Sequence, residues 1–198
     1  MFAGTFSPIV LVLAGLTGDL PELDPVAPGQ EIVCQPQRET ANRASPYDST
    51  TFRVGGQMAK VCYSRPYAKQ RSIFAPDGLV PLGEIWRTGA NEPTTLHLPV
   101  AATIAGIEVG PGSYSLYTIP DRSEWTIIVN RSTAQWGIES RYSEEIKAQE
   151  VGRAPVPSAA TDQHVEQFTI RSTAAGNGSD LVLEWEGTRV SIPVRPAG

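Results

Sequence analysis

The run Leu181-Val-Leu-Glu-Trp-Glu-Gly-Thr-Arg-Val-Ser-Ile-Pro-Val194 decides the fold class. Leu181, Leu183 and Trp185 share one face, and after Gly187-Thr188 the inward set resumes at Val190, Ile192 and Val194. A large apolar side chain at every second residue marks strands with one face on a core. Pro193 has no N–H to give a ladder, which predicts an edge position for its strand.

The same period extends outward along the chain. Thr51–Val54 and Met58–Ser64 flank Gly55-Gly56, a hairpin signal, with Ala59, Val61 and Tyr63 on one face and Met58, Lys60, Cys62 and Ser64 on the other. Thr95–Leu98 reads as a third strand. Tyr114–Ile119 and Glu124–Asn130 flank the turn Pro120-Asp-Arg-Ser123, with Trp125, Ile127 and Val129 on one face. Phe168 and Ile170 mark another strand, and only Ser143–Glu150 looks helical. Many short strands with frequent turns predict an all-β fold: an antiparallel β-sandwich, jelly-roll-like, with one short helix and an extended N-terminal arm. The division is an arm at 1–42 and a β domain at 43–198.

Composition agrees with a globular class. The 198 residues are 40% hydrophobic and 19% charged, which excludes a disordered tail and a membrane bundle. A net charge of −5 removes the electrostatic footprint of a nucleic-acid binder. The arm is lopsided: residues 1–37 hold Asp19, Glu22, Asp24 and Glu31, and Arg38 is the first base.

Ile9–Leu16 is an apolar run too short to span a bilayer as a helix. Three readings stand beside one another. It is an export signal without its basic n-region, a strand at about 8–14 that docks on a sheet of its own domain or a second copy, or a disordered lead. Leu13-Ala-Gly-Leu16 has the form of a bacterial lipobox with Leu16 in place of the cysteine, so no lipid can attach there. Residues 17–30, with Pro21, Pro25 and Pro28, read as an extended linker. No segment is membrane-spanning, and the expected location is extracytoplasmic.

Cys34 and Cys62 are the only cysteines. They are two buried thiols or one disulfide that ties the arm to the second hairpin strand, and the disulfide requires an oxidising compartment. Their spacing fits no compact metal site, and neither metal nor cofactor is expected.

The search for catalytic chemistry finds no nucleophile elbow, phosphate loop or dinucleotide fingerprint. His97 and His164 stand apart from ligand-spaced partners, and His97 reads as a surface residue beside Thr95. Glu84 and Glu92 bracket a glycine-containing loop and offer a pair of carboxylates, although two loop glutamates are more often solvated charges. The unusual stretch is Gly83-Glu-Ile-Trp-Arg-Thr-Gly-Ala-Asn-Glu-Pro-Thr-Thr95. Together with the upstream cations it supplies Arg65, Lys69, Arg71, Arg87, Asn91 and Thr94, a donor set for a carboxylate, phosphate or sugar. The same groups also serve to brace long loops through backbone hydrogen bonds. Asn130-Arg-Ser132 and Asn177-Gly-Ser179 fit the N-glycosylation pattern.

Several strings carry a family resemblance: Tyr63-Ser-Arg-Pro66, Lys69-Gln-Arg71 with Ile73-Phe74, Trp86-Arg-Thr-Gly-Ala-Asn-Glu92, Gly112-Ser-Tyr-Ser-Leu-Tyr-Thr-Ile-Pro120, Glu124-Trp-Thr-Ile-Ile128 and Trp136-Gly137. In this order, over roughly 43–196, they resemble the bacterial domain-of-unknown-function family 2911. The resemblance implies an exported, often signal-bearing or lipid-anchored β-rich domain without an established activity. It also implies a glycine where Gln70 stands, between Lys69 and Arg71. The favoured function is a non-enzymatic envelope or extracellular module that binds a small molecule or a protein partner. The alternatives are a hydrolase-like enzyme built on the Arg/Asn/Glu loop and a subunit that self-associates through residues 8–14. An enzyme places Arg65, Arg71, Arg87, Asn91 and a carboxylate around one concavity; a brace spends them on backbone carbonyls.

Overall fold

The structure is a computed structural model that describes residues 31–137 and 139–198. The apolar run, the lipobox-like segment and residues 8–14 lie outside the described residues. Among the described residues nine strands form one antiparallel sheet: β1 Tyr47–Val54, β2 Gln57–Ser64, β3 Thr94–Leu98, β4 Ala102–Ile104, β5 Ile107–Val109, β6 Gly112–Ile119, β7 Glu124–Asn130, β8 Glu150–Ala175 and β9 Gly178–Pro196. Their order is β1-β2-β3-β6-β7-β8-β9-β4-β5. The expected hairpins β1–β2 and β6–β7 are present, with Val54 opposite Gln57 and Ile119 opposite Thr126.

The terminal run is one strand, and its change of phase has a physical cause. Inward residues are odd-numbered up to Trp185 and even-numbered from Val190, so one extra residue must be absorbed between them. Glu186 takes a left-handed φ of 54°, and the β8–β9 register shifts between Ala160 and Val165 and again before Thr169. A bulge there turns Val190, Ile192 and Val194 back onto the core, each at most 1% exposed. Pro193 does not make β9 an edge strand, because β9 lies between β8 and β4. The β8 ladder ends at Val190, however, and at Pro193 the flanking bond is its own carbonyl accepting the Ala105 amide. The missing donor is therefore not needed.

Four elements differ from the sequence expectation. β4 and β5 form a short hairpin through Ala105 and Gly106, both at positive φ. β8 runs through Pro155 and Pro157, which look like loop residues. They are tolerated because Glu150–Pro157 is laddered on β7 alone, and β9 joins only from Ser158. The helix shrinks to Glu144–Lys147, where the Ser143 hydroxyl accepts the Ile146 amide as an N-cap.

The sheet curls so that its first edge meets its far half. Thr50 Oγ1 donates to the Ile170 carbonyl at 2.6 Å, and Ser179 Oγ accepts the Arg53 amide and donates to the Arg53 carbonyl. These bonds cover a strand edge that would otherwise template pairing. Inside, at one end, Phe74, Trp86, Trp125, Phe168 and Trp185 pack ring to ring. Phe74 lies 4.8 Å from Trp125 edge-on, and Trp86 stacks on Trp185 at 5.9 Å. Such pairs add about 0.5–1.5 kcal/mol each beyond area burial.

The described part of the arm is fastened to the outer face of β2. Cys34 and Cys62 form a disulfide, Lys60 Nζ donates to the Ile32 carbonyl, and Ile32 is buried. Further along, Gln37 reaches the Thr133 carbonyl and the Arg38 guanidinium lies 4.1 Å from the Trp136 ring centroid. Arg43 closes on Glu92 at 2.9 Å, with side chains only 8% and 6% exposed.

Candidate functional site

The loop from Trp86 to Thr94 is built from the residues that made it conspicuous. Trp86 makes a two-bond bridge with Thr118, which turns its indole inward, where Nε1 donates to the Gly89 carbonyl at 3.0 Å. Thr88 follows at a φ of 57°, rare for a β-branched residue. Its hydroxyl is buried against Thr118 Oγ1 at 3.1 Å, and its carbonyl accepts from the Thr94 hydroxyl. Asn91 is also left-handed, and its Nδ2 donates to Ser64 Oγ at 3.1 Å. A Cβ on Gly89 would stand 3.0 Å from the Ser64 carbonyl oxygen, so glycine permits the loop to lie against β2. The Thr94 amide bonds the Arg87 carbonyl and closes the loop.

Beside this loop opens a cleft of about 580 Å³. Trp86 and Trp185 line it with Leu79, Val80, Pro81 and Ile85, the charged groups are Arg71, Arg87, Glu84 and Glu139, and Ser45 and Ser140 add hydroxyls. This volume lies within the range of small-molecule sites. Arg87 Nη1 donates to the Gly137 carbonyl at 3.1 Å and to Glu139 Oε2 at 3.0 Å. Arg87 Nε is buried without a partner among the described residues, and so is the indole Nε1 of Trp185. Ser115 Oγ and Trp125 Nε1 share this state away from the cleft; buried polar groups are nearly always bonded, so two such donors on residues that line one cleft are unusual.

The six residues singled out from the sequence divide. Arg71 and Arg87 line the cleft; Arg65, Lys69, Asn91 and Thr94 do not. Arg65 is spent on stitching, with Nε on the Phe168 carbonyl, Nη2 on Thr169 Oγ1 and Nη1 on Asp48. The Lys69 amide bonds Glu166, and Asn91 and Thr94 hold the loop as above. Arg71 gives Nε to the Ala68 carbonyl and Nη2 to the Tyr67 carbonyl. Lys69 and Gln70 both sit at positive φ, 50° and 60°, so Gln70 occupies a conformation that favours the glycine the resemblance implied.

The carboxylates divide as well. Glu84 lines the cleft, whereas Glu92 is a buried partner of Arg43. Burial, and secondarily the Glu92 charge, pushes the adjacent Tyr47 hydroxyl up to about 12. Trp185 and Glu139 were not foreseen as site residues, because they arrive from distant strands and turns without a local motif. Elsewhere, His97 is half-buried rather than on the surface. Its Nδ1 lies 2.7 Å from Ser113 Oγ, and desolvation, then the Lys60 charge, lowers its pKa. His164 is exposed beside Glu166. No group of three or more metal-ligating side chains occurs among the described residues. Asn130 is buried, its amide nitrogen bonded to the Ile146 carbonyl, whereas Asn177 sits on the exposed β8–β9 turn.

Fold and site define an all-β protein with an aromatic-walled, arginine-bearing cleft at one end of its core. The chain belongs to the family described as protein of unknown function (DUF2911), which matches residues 45–194. No curated protein and no solved structure matches it.

Proposed function

We propose that this chain is an exported, non-enzymatic module of jelly-roll-like build whose cleft binds a small organic molecule carrying a carboxylate on an apolar body. The observation that carries the reading is that one cleft with an apolar wall is lined by Arg71, Arg87 and Trp185, whose buried indole N–H has no partner among the described residues. Arginine forks match carboxylates, and an indole N–H needs an acceptor once water is excluded. Pre-organisation supports it: Arg71 is held by two backbone carbonyls, so little side-chain freedom is lost on binding. The disulfide supports an oxidising, extracytoplasmic location. In this reading residues 43–198 are the binding domain and residues 1–42 an arm, with self-association through residues 8–14 as a separate property of that arm.

The hydrolase-like alternative keeps one supporting observation, that Glu84 and Glu139 both border the cleft. Calorimetric titration with 3-phenylpropionate separates the readings. Saturable binding that Arg71→Gln weakens about tenfold, the effect of losing one charge-assisted bond, supports the module. If neither this acid nor any other carboxylate-bearing apolar probe binds the folded protein, the reading is overturned. Chemical turnover of ester or amide derivatives of the same acid, abolished by Glu84→Gln, would replace it with the enzyme.

A further inference from the structure

The charges bordering the cleft do not cancel where they stand. Arg87 and Glu139 form an ion pair at 3.0 Å and neutralise each other. Arg71 is different: its hydrogen bonds go to backbone carbonyls, and among the described residues no carboxylate forms a salt bridge with it. Glu166 lies near enough to feel the Arg71 charge, but it is engaged by the Lys69 amide and His164. Glu84 is the complement. Among the described residues its carboxylate accepts no hydrogen bond and pairs with no cation, and its amide bonds the Pro81 carbonyl. One fixed cation and one free anion thus border the same apolar cavity, with the buried, unbonded Trp185 N–H beside them.

A ligand that satisfies all three carries a carboxylate, an ammonium group and at least one neutral acceptor on an apolar frame. A simple carboxylic acid leaves Glu84 unanswered and repels it. A single amino acid holds its two charges on one carbon and has no internal carbonyl to spare for the indole. A short peptide has both charges, separated by the chain, and amide carbonyls between them. The walls formed by Trp86, Leu79 and Ile85 suit apolar side chains.

We infer that the cleft takes a short apolar peptide with both termini free, its carboxylate on Arg71, its ammonium on Glu84 and a backbone carbonyl on Trp185 Nε1. The inference rests on the binding reading above and sharpens its ligand class.

The test is calorimetry of the full chain with four probes: Leu-Phe, N-acetyl-Leu-Phe, Leu-Phe-amide and 3-phenylpropionate. Leu-Phe is expected to bind best, with acetylation and amidation each weakening it about tenfold, the size of one lost charge-assisted contact. Glu84→Gln should erase the difference between free and acetylated peptide while keeping the penalty for amidation. Arg71→Gln should do the reverse. Both side chains are exposed, and unchanged melting temperatures of the two variants verify that the fold is kept. Equal binding of Leu-Phe and N-acetyl-Leu-Phe by the wild type overturns the peptide inference. So does 3-phenylpropionate binding as tightly as Leu-Phe, an outcome that leaves the carboxylate reading intact. If none of the four binds, the binding reading itself falls.

Discussion

Removing the disulfide by the double substitution Cys34→Ala/Cys62→Ala tests how the arm is held. The bridge closes a loop with a sequence separation of 28. Chain-entropy arithmetic for a loop of that length gives about 12 cal/mol/K, or ~3.6 kcal/mol at 25 °C, lost when the unfolded chain is no longer cross-linked. Cys62 is buried and Cys34 half-buried, so the alanines add a small packing loss in the same direction. For a chain of this size each kcal/mol corresponds to roughly 2–4 °C, which predicts a fall in Tm of about 7–14 °C. Urea unfolding of the oxidised wild type against the double variant gives the free energy directly. The m-value should rise as well, because an unfolded chain without the cross-link exposes more surface. A stability loss below about 1 kcal/mol with an unchanged m-value would refute the reasoning. It would mean that the arm is fastened elsewhere or that the bridge does not form.

Other expected outcomes follow from single positions. Arg43→Ala leaves Glu92 buried without its partner and should cost about 3–5 kcal/mol in urea unfolding, whereas Arg153→Ala, which breaks a more exposed pair with Glu150, should cost under about 1 kcal/mol. His97 has a folded pKa below its ordinary 6.5, so the unfolded chain takes up the proton first. Its contribution is intact above about pH 6.5 and is lost as pH falls toward the folded pKa; an NMR titration that gives a folded value of 6.5 or higher contradicts this. Gln70→Gly relieves a left-handed residue and should be neutral or stabilising by up to about 1 kcal/mol, while Gln70→Val should destabilise; equal thermal shifts for the two would sink the argument. Gly137→Ala would put a Cβ 2.7 Å from Arg87 Cδ and 2.8 Å from the Pro93 nitrogen. It should cost about 1–3 kcal/mol and weaken carboxylate binding together, because the clash falls on a residue of the cleft.

The hairpins were legible because their alternation and glycine turns are local signals: Gly55-Gly56 and Pro120–Ser123 sit between strands that pair where expected. β8 was not, because its first half pairs on one flank only and so admits Pro155 and Pro157, while its core contacts are few until Phe168. The bulge at Glu186 was present in the sequence only as a change of parity between Trp185 and Val190. At the site, the string from Trp86 to Glu92 announced an unusual loop, and Arg71 and Arg87 proved to border a cleft. Arg65, Asn91 and Thr94 lie outside that cleft and bond within the protein; a polar side chain that holds a loop looks the same in sequence as one that holds a ligand. Glu139 and Trp185 carry no local signal; folding brings them beside Arg87 from 52 and 98 positions away. The Arg43–Glu92 pair was equally hidden, because burial of a charge is decided by a partner distant in the chain.

The central claim is that Trp185 and the two arginines border a cleft that receives a ligand's acceptor atoms. The indole N–H resonances of the four tryptophans report on it separately, and Trp86 Nε1 is already bonded to Gly89 whereas Trp185 Nε1 is not. Titration of the folded protein with Leu-Phe should move the Trp185 indole N–H resonance downfield and saturably, as a new hydrogen bond forms, and leave that of Trp125, outside this cleft, in place. A Trp185 resonance that stays fixed while the peptide binds, or a peptide that perturbs none of the four, would contradict the account.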